Sequence, residues 1–343
     1  MRASSHVAFV TEGGAGVGLG HVSRCLAVAR AALGEGARAS FLVTPEPRIA
    51  ALLAGVAAAV VEQSWPTDPA GALDALRALR PDAIVVDSYK APPDFLAALR
   101  SVASPVVAVD DTAERPLPVD VVVNGGVGAA ALAYRPAAGT VLLLGPRYAL
   151  LDPCYADGPE RRVSDRITRI LVSLGGGLGG DDVAAAVRAA DAVLEDGAVD
   201  VAAGPFSAGA GRLDAVARES RNRVAIHRDR FGLRDLMLAA DLAVSGAGMT
   251  LYELAATGTP AVTVCMADNQ RPNAEAFARA RAAPAAGRAG EPGLGGAIAA
   301  ALRRLAADPA ARAEVAARAR ALVDGRGAIR VARRILSPAV AWR

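Results

Sequence analysis

One histidine stands out for its surroundings. His21 ends the run Thr11-Glu12-Gly13-Gly14-Ala15-Gly16-Val17-Gly18-Leu19-Gly20-His21, in which five residues are glycine. Glycines such as Gly18 and Gly20 admit positive φ and let a ligand approach the backbone closely. An imidazole at the start of the following helix sits where the positive helix end favours the neutral, proton-accepting ring. That is the setting of a general base; the plainer alternative is a turn histidine capping the helix. His6 and His227 lack such a setting and read as structural or exposed.

A second stretch has the pattern of an anion site. Asp241 to Leu254 reads as a strand ending at Ser245, a turn of small residues (Gly246, Ala247, Gly248) and a helix starting near Met249. The first-turn N–H groups of a helix have no helical partner, and with the Ser245 and Thr250 hydroxyls they form a diphosphate site. Glu253, one turn in, is placed to take both ribose hydroxyls. A tight strand–helix turn with an acid favoured by the helix dipole accounts for the same residues. One strand later, Asn269 and Gln270 offer amides to sugar hydroxyl or acetamido groups, or else they cap a helix. Asp87, Ser88, Tyr89, Asp110 and Asp111 also follow strands. Among them Asp87 joins His21 as a candidate catalytic residue, with an N-cap or turn role as the alternative.

The spacing G-x-G-x-x-G occurs at Gly175, Gly177 and Gly180, behind a strand over Ile167–Leu174. It raises a nicotinamide-dependent alternative, which needs an acid at the end of the next strand to hold a ribose. That strand ends in Ala203-Gly204-Pro205, with Asp200 at its start. Gly175 and Gly176 suit another role, the close approach of a ligand's phosphates or sugar.

These loops need a scaffold of parallel strands. Strands are expected at Val7–Thr11, Ala39–Val43, Ala57–Val61, Ala83–Asp87, Val106–Asp110 and Val119–Asn124, with helices such as Val22–Leu33, Pro69–Leu79 and Pro93–Val102 between several of them. The rhythm breaks between Gly139 and Arg166, which reads as an interdomain connection. A second series follows at Ile167–Leu174, Val199–Ala203, Arg223–Ile226, Leu242–Ser245 and Ala261–Val264, then helical segments over Pro292–Ser337. Strand–helix–strand spacing implies right-handed crossovers. The expected fold is α/β with GT-B architecture: two doubly wound Rossmann-like domains, a central cleft and C-terminal helices. The expected boundaries are 1–155 for the acceptor and catalytic domain, 166–325 for the nucleotide-sugar domain and 326–343 for a C-terminal helix and tail. Open α/β sheets bind ligands beyond the carboxyl ends of their strands, where all the loops above lie.

Composition narrows the rest. All but one of the 38 basic residues are arginine, Lys90 being the exception, yet the net charge is only +3. The arginines are dispersed beside acids on helices, which argues against a nucleic-acid partner. Cys25, Cys154 and Cys265 have no metal-ligand spacing and form no disulfide framework. Neither a metal nor a cofactor is expected. No secretory signal is evident over Met1–Val10 and no apolar run reaches the ~20 residues of a membrane span. A cytoplasmic monomer is the expectation.

Several segments together resemble the PseG-like family, the UDP-2,4-diacetamido-2,4,6-trideoxy-altropyranose hydrolases of pseudaminic acid biosynthesis. They are Gly18-Leu19-Gly20-His21-Val22-Ser23-Arg24-Cys25-Leu26, Pro81 to Tyr89, Asp110 to Pro116, Leu143 to Leu150, Leu171 to Gly176, Ser245 to Glu253 and Asn269-Gln270. The resemblance runs to about residue 280 and implies a UDP-sugar substrate. It assigns His21 the activation of water, Ser245–Thr250 the diphosphate and Glu253 the ribose. It also places the uracil against backbone at Arg230–Leu233, around Phe231, and Asn269 and Gln270 against phosphate or sugar. The chain differs from the family at Thr11–Gly14 and Gly177–Gly179, on the sugar side of the expected cleft. A glycosyltransferase using the same groove for a hydroxyl acceptor is the alternative within this fold.

Overall fold

The computed structural model describes residues 4–14, 17–159, 161, 163–175, 180–204, 210–228, 230 and 232–337. The chain divides into two units, residues 1–156 with 325–343, and residues 157–324.

The N-terminal unit is built on a seven-stranded sheet of β1 (His6–Thr11), β2 (Arg38–Val43), β3 (Ala59–Glu62), β4 (Ala83–Asp87), β5 (Val106–Val109), β6 (Val121–Asn124) and β7 (Val141–Leu144), in the order β3-β2-β1-β4-β5-β6-β7. Every pairing in it is parallel. Both faces of such a sheet must be covered, so the middles of its strands are apolar, and polar residues such as Thr11, Asp87 and Asn124 fall at their ends. Val7 and Phe9 face one layer, where Phe9 stacks on Phe41 at 4.9 Å between ring centroids. Ala8 and Val10 face the other, where Trp65 stacks on Phe95 at 5.7 Å and donates its Nε1–H to the Thr11 carbonyl at 3.1 Å.

Helices α1 (Gly20–Gly34), α2 (Pro47–Ala54), α3 (Pro69–Leu79) and α4 (Pro93–Leu99) connect the strands. The last three begin with proline in the first turn, where the missing N–H is no loss. Asp68 caps α3 by accepting from Gly71 N–H at 3.0 Å. The segment after Gly139, expected to be a connection, instead contributes β7 to the sheet edge. Four residues between prolines give too short a run to signal a strand by periodicity alone.

The second unit repeats the plan with β8 (Arg169–Ser173), β9 (Ala198–Ala203), β10 (Arg223–Arg228), β11 (Leu242–Gly246), β12 (Ala261–Cys265) and β13 (Ala285–Arg288), in the order β10-β9-β8-β11-β12-β13. Its helices are α5 (Gly180–Asp191), α6 (Ala210–Glu219), α7 (Arg234–Ala239), α8 (Met249–Thr257), α9 (Arg271–Arg279), α10 (Leu294–Ala307) and α11 (Pro309–Leu322). The fully buried Arg312 anchors the start of this unit, donating to the carbonyls of Leu305, Ala306, Ser164 and Asp165.

Helix α12 (Gly327–Leu336) belongs to the N-terminal unit. Ala328, Val331, Ala332 and Ile335 join the core shared with α1, and Arg333 Nε meets Glu35 Oε1 at 2.7 Å. Burying Val331 and Ile335 contributes about 1.5–3 kcal/mol each. Among the described residues no helix is long and apolar enough to cross a membrane.

The entry to α12 leaves no room for a side chain: a Cβ at Gly327 would collide with the Ala149 backbone, its carbonyl oxygen first. Gly327→Ala should therefore destabilise the protein by about 2–4 kcal/mol, read as a lowered urea midpoint. An unchanged midpoint would show that α12 is not needed to close this core.

Candidate functional site

Each sheet has one point where the chain reverses its direction of winding, between β1 and β4 and between β8 and β11. Loops leaving the carboxyl ends of those strands diverge there and leave a crevice. The candidate residues collect at both points.

In the N-terminal unit, Gly13 turns the chain out of β1, and a Cβ there would lie 2.5 Å from Ile49 Cδ1 and 3.0 Å from the Gly18 carbonyl. Gly18, at φ +78°, exchanges backbone hydrogen bonds with Gly14 that tie the loop together. Gly20 opens α1 and His21 follows it. Thr11 of β1 pairs with Asp87 of β4, so the first turn of α1 stands beside the Asp87 carboxylate. His21 Nδ1 lies 2.6 Å from Asp87 Oδ1, and both side chains are buried.

Arg24, one turn after His21 on the same helix face, completes the arrangement. Its Nε donates to Asp87 Oδ2 at 2.7 Å and its Nη2 to Oδ1 at 2.7 Å. Its Nη1 reaches Asp111 Oδ2 at 3.0 Å. Tyr89 Oη donates to Asp111 Oδ1 at 2.6 Å, and the Tyr89 ring meets His21 edge-on at 4.8 Å. The five side chains close a circuit: His21, Asp87, Arg24, Asp111, Tyr89 and back to His21.

The circuit fixes the histidine tautomer. Arg24 Nη2 also lies 2.9 Å from His21 Nδ1, but an N–H facing an N–H cannot bond. A carboxylate can only accept, so the 2.6 Å contact with Asp87 Oδ1 calls for a proton on Nδ1 and leaves Nε2 as the ring nitrogen free to meet a ligand. Burial alone would push the Asp87 carboxyl up, yet Arg24 and then His21 outweigh it and hold it below its usual range. Burial likewise opposes the Arg24 charge, and Asp87 overrides it. Arg115 pins the whole segment after β4, donating to the carbonyls of Ser88, Tyr89 and Ala91. Asp110 serves the loop instead, closing a turn by accepting from Thr112 and Ala113 N–H and taking the Tyr134 hydroxyl at 2.9 Å.

In the second unit, Gly175 follows β8 with φ +105° and is exposed. Gly246 ends β11 under the Leu174 carbonyl, where a Cβ would come within 2.8 Å of that oxygen. Gly248 is the extended N-cap of α8, with Met249 and Thr250 in its first turn, all three half-buried. Gln270 accepts from Met266 N–H through Oε1 at 3.2 Å, which turns its Nε2 to the helix tip, 3.3 Å from where a Gly248 Cβ would stand. Glu253 lies one turn into α8, half-buried, and Asn269 is exposed.

Two expected anion ligands are committed elsewhere. The Ser245 hydroxyl is fully buried and donates to the Gly246 carbonyl at 2.8 Å, and the Ala247 amide donates to the Val264 carbonyl at 3.1 Å. The donors left at the tip are the amides of the first turn, the Thr250 hydroxyl and the Gln270 amide. Asn273 ties α9 to this turn: it donates to the Ala247 carbonyl at 3.3 Å and accepts from Tyr252 Oη at 2.8 Å. Gly176 and Phe231 lie outside the described residues; beside Phe231, Gly232 has φ +84° and its carbonyl accepts from Arg230. Asp200 is buried under Arg169 and His227, at 2.9 and 2.7 Å, an internal ion-pair cluster away from any ribose position at a strand end.

No family model and no curated protein matches the sequence. Solved structures do match, over nearly the whole chain. MurG of Acinetobacter baumannii is 20% identical with a TM-score of 0.66, covering 96% of this chain and 99% of its own. CalG4, the calicheamicin glycosyltransferase, is 18% identical with a TM-score of 0.63, covering 100% and 98%. Anabaena HepE, solved with UDP and glucose, is 14% identical with a TM-score of 0.64, covering 96% and 99%. At these identities the likeness shows the fold, which is GT-B.

Arg24 is nearly buried against a fully buried carboxylate. Arg24→Met should destabilise the protein by about 3–5 kcal/mol, because Asp87 then loses its main counter-charge. The Asp87 pKa is depressed on folding, so the stability it lends is present above about pH 4 and is lost as pH falls through the folded value. Urea midpoints taken from pH 7 down to pH 3 should fall more steeply for the wild type than for Asp87→Asn. Parallel curves would mean that the carboxylate is not held below its usual range.

Proposed function

We propose that the chain cleaves the anomeric bond of a UDP-sugar with inversion, His21 acting as general base on the attacking oxygen and water serving as the acceptor. The observation that carries this reading is the 2.6 Å contact of His21 Nδ1 with the Asp87 carboxylate, the ring held edge-on to Tyr89 at the start of α1. A base so held needs no reorientation before it accepts a proton.

In this mechanism Nε2 takes a proton from water as its oxygen attacks the anomeric carbon. The bond from that carbon to the diphosphate oxygen breaks, and its electron pair leaves with UDP. Asp87 stabilises the imidazolium that forms, and Arg24 keeps Asp87 ionised throughout. The reading assigns UDP to the second unit, its diphosphate to the amides of Gly248, Met249 and Thr250 with Gln270, and its ribose to Glu253. The resemblance of Gly18–Leu26, Asp110–Pro116 and Leu143–Leu150 to the pseudaminic acid hydrolases supports water as acceptor. A hydroxyl acceptor is the second reading, favoured by CalG4, a glycosyltransferase of the same fold.

Incubation with UDP-sugars, with and without a hydroxyl acceptor, separates the two: free sugar without acceptor marks a hydrolase, and UDP release only with acceptor marks a transferase. His21→Ala should abolish turnover while UDP still binds. Asp87→Asn should lower kcat by about 10²–10⁴-fold, and Glu253→Ala should chiefly raise the Kd for UDP. Full turnover in the His21 variant would remove the proposed base.

A further inference from the structure

A second polar group shares the strand ends with the His21 circuit, and the reaction above leaves it unused. Glu12 lies just beyond β1 with only 3% of its side chain exposed. Its Oε1 accepts from Ser88 Oγ and its Oε2 from Lys90 Nζ, both at 2.5 Å. The Lys90 amide in turn donates to Ser88 Oγ at 2.9 Å, so the hydroxyl is gripped from both sides. The Lys90 side chain itself stays 55% exposed.

Three features point past a merely neutralised acid. Lys90 is the only lysine in a chain that uses arginine at every other basic position. A planar guanidinium would match a carboxylate with two parallel bonds, so a structural pair gives no reason for the exception. An ammonium carries three N–H donors, and Glu12 takes one of them. The remaining donors stand exposed at the carboxyl ends of β1 and β4, where open sheets receive ligands. Lastly, the Glu12 charge cancels that of Lys90, and Asp87 and Asp111 match the neighbouring Arg24 and Arg115. The surroundings therefore offer donors without a positive excess, which suits an uncharged oxygen better than an anion.

We propose that Lys90 is a specificity-determining donor that hydrogen-bonds an uncharged oxygen, a hydroxyl or acylamino carbonyl, of the sugar on which His21 acts. Glu12 and Ser88 hold the ammonium in place. This inference rests on the nucleotide-sugar reading above.

The test uses the full chain, steady-state kinetics with UDP-N-acetylglucosamine, UDP-glucose and UDP-glucuronate, and calorimetry with UDP. Lys90→Met and Lys90→Arg should each raise KM for the neutral sugar turned over by about tenfold or more, the loss of a charge-assisted hydrogen bond, with the Kd for UDP unchanged. The double variant Glu12→Gln with Lys90→Met removes both charges, so its thermal midpoint should return towards that of the wild type while KM stays high. Recovery of KM in the double variant would reduce Lys90 to a counter-ion and overturn the inference. An unaltered KM in Lys90→Met, or a wild-type preference for UDP-glucuronate, would overturn it too. A wild-type chain that binds UDP but turns over none of the three sugars refutes this sugar specificity and leaves the nucleotide assignment standing. Failure to bind UDP at all refutes both.

Discussion

Asp87 is the constraint around which the N-terminal unit is arranged. A carboxylate with no exposed surface is costly unless neighbours supply charge and hydrogen bonds. Here the neighbours come from one helix, His21 and Arg24, three residues apart. The loop after β1 must bring their helix back to the strand's carboxyl end, and β1 must lie beside β4, for the three groups to meet. Sheet order, loop length and helix register are thus bound to one buried charge. Gly13 follows from this, since the chain turns between Ile49, Val22 and its own Gly18 carbonyl with no space for a Cβ there.

The second unit repeats the layout with no carboxylate at the equivalent strand end. The corresponding strand, β11, ends in Ser245 and Gly246, whose hydroxyl and backbone satisfy each other. The helix tip that follows is left to donors: amides of the first turn and the side chain of Gln270. One sheet end thus concentrates a base and its counter-ions, the other a set of uncharged donors. Uncharged donors at a helix start are enough to hold phosphate oxygens.

Much of this was legible in the sequence. Buried parallel strands announce themselves as apolar β-branched runs, so β1, β4, β8, β11 and β12 stood out, and glycine-rich turns marked both helix starts. Asp87 was harder. Its meeting with His21, 66 positions away in the chain, depends on β1 pairing with β4, which no local pattern reveals. Arg24 read as one more arginine among many until the helix face was known. A hydroxyl beside glycines, as at Ser245, suggests an anion ligand, and no local pattern foretells that it is fully buried and donates to the Gly246 carbonyl. β7 was lost among prolines, and β13, Ala285–Arg288, is too short and too polar at its end to signal a strand.

The position of α12 has a consequence for biosynthesis. The helix that covers α1 is translated only after the whole of residues 157–324, so the N-terminal core emerges from the ribosome with one apolar face bare. The second unit, continuous in sequence, can complete itself first. The half that begins earliest closes later, and in that interval the apolar face of α1 waits for its cover.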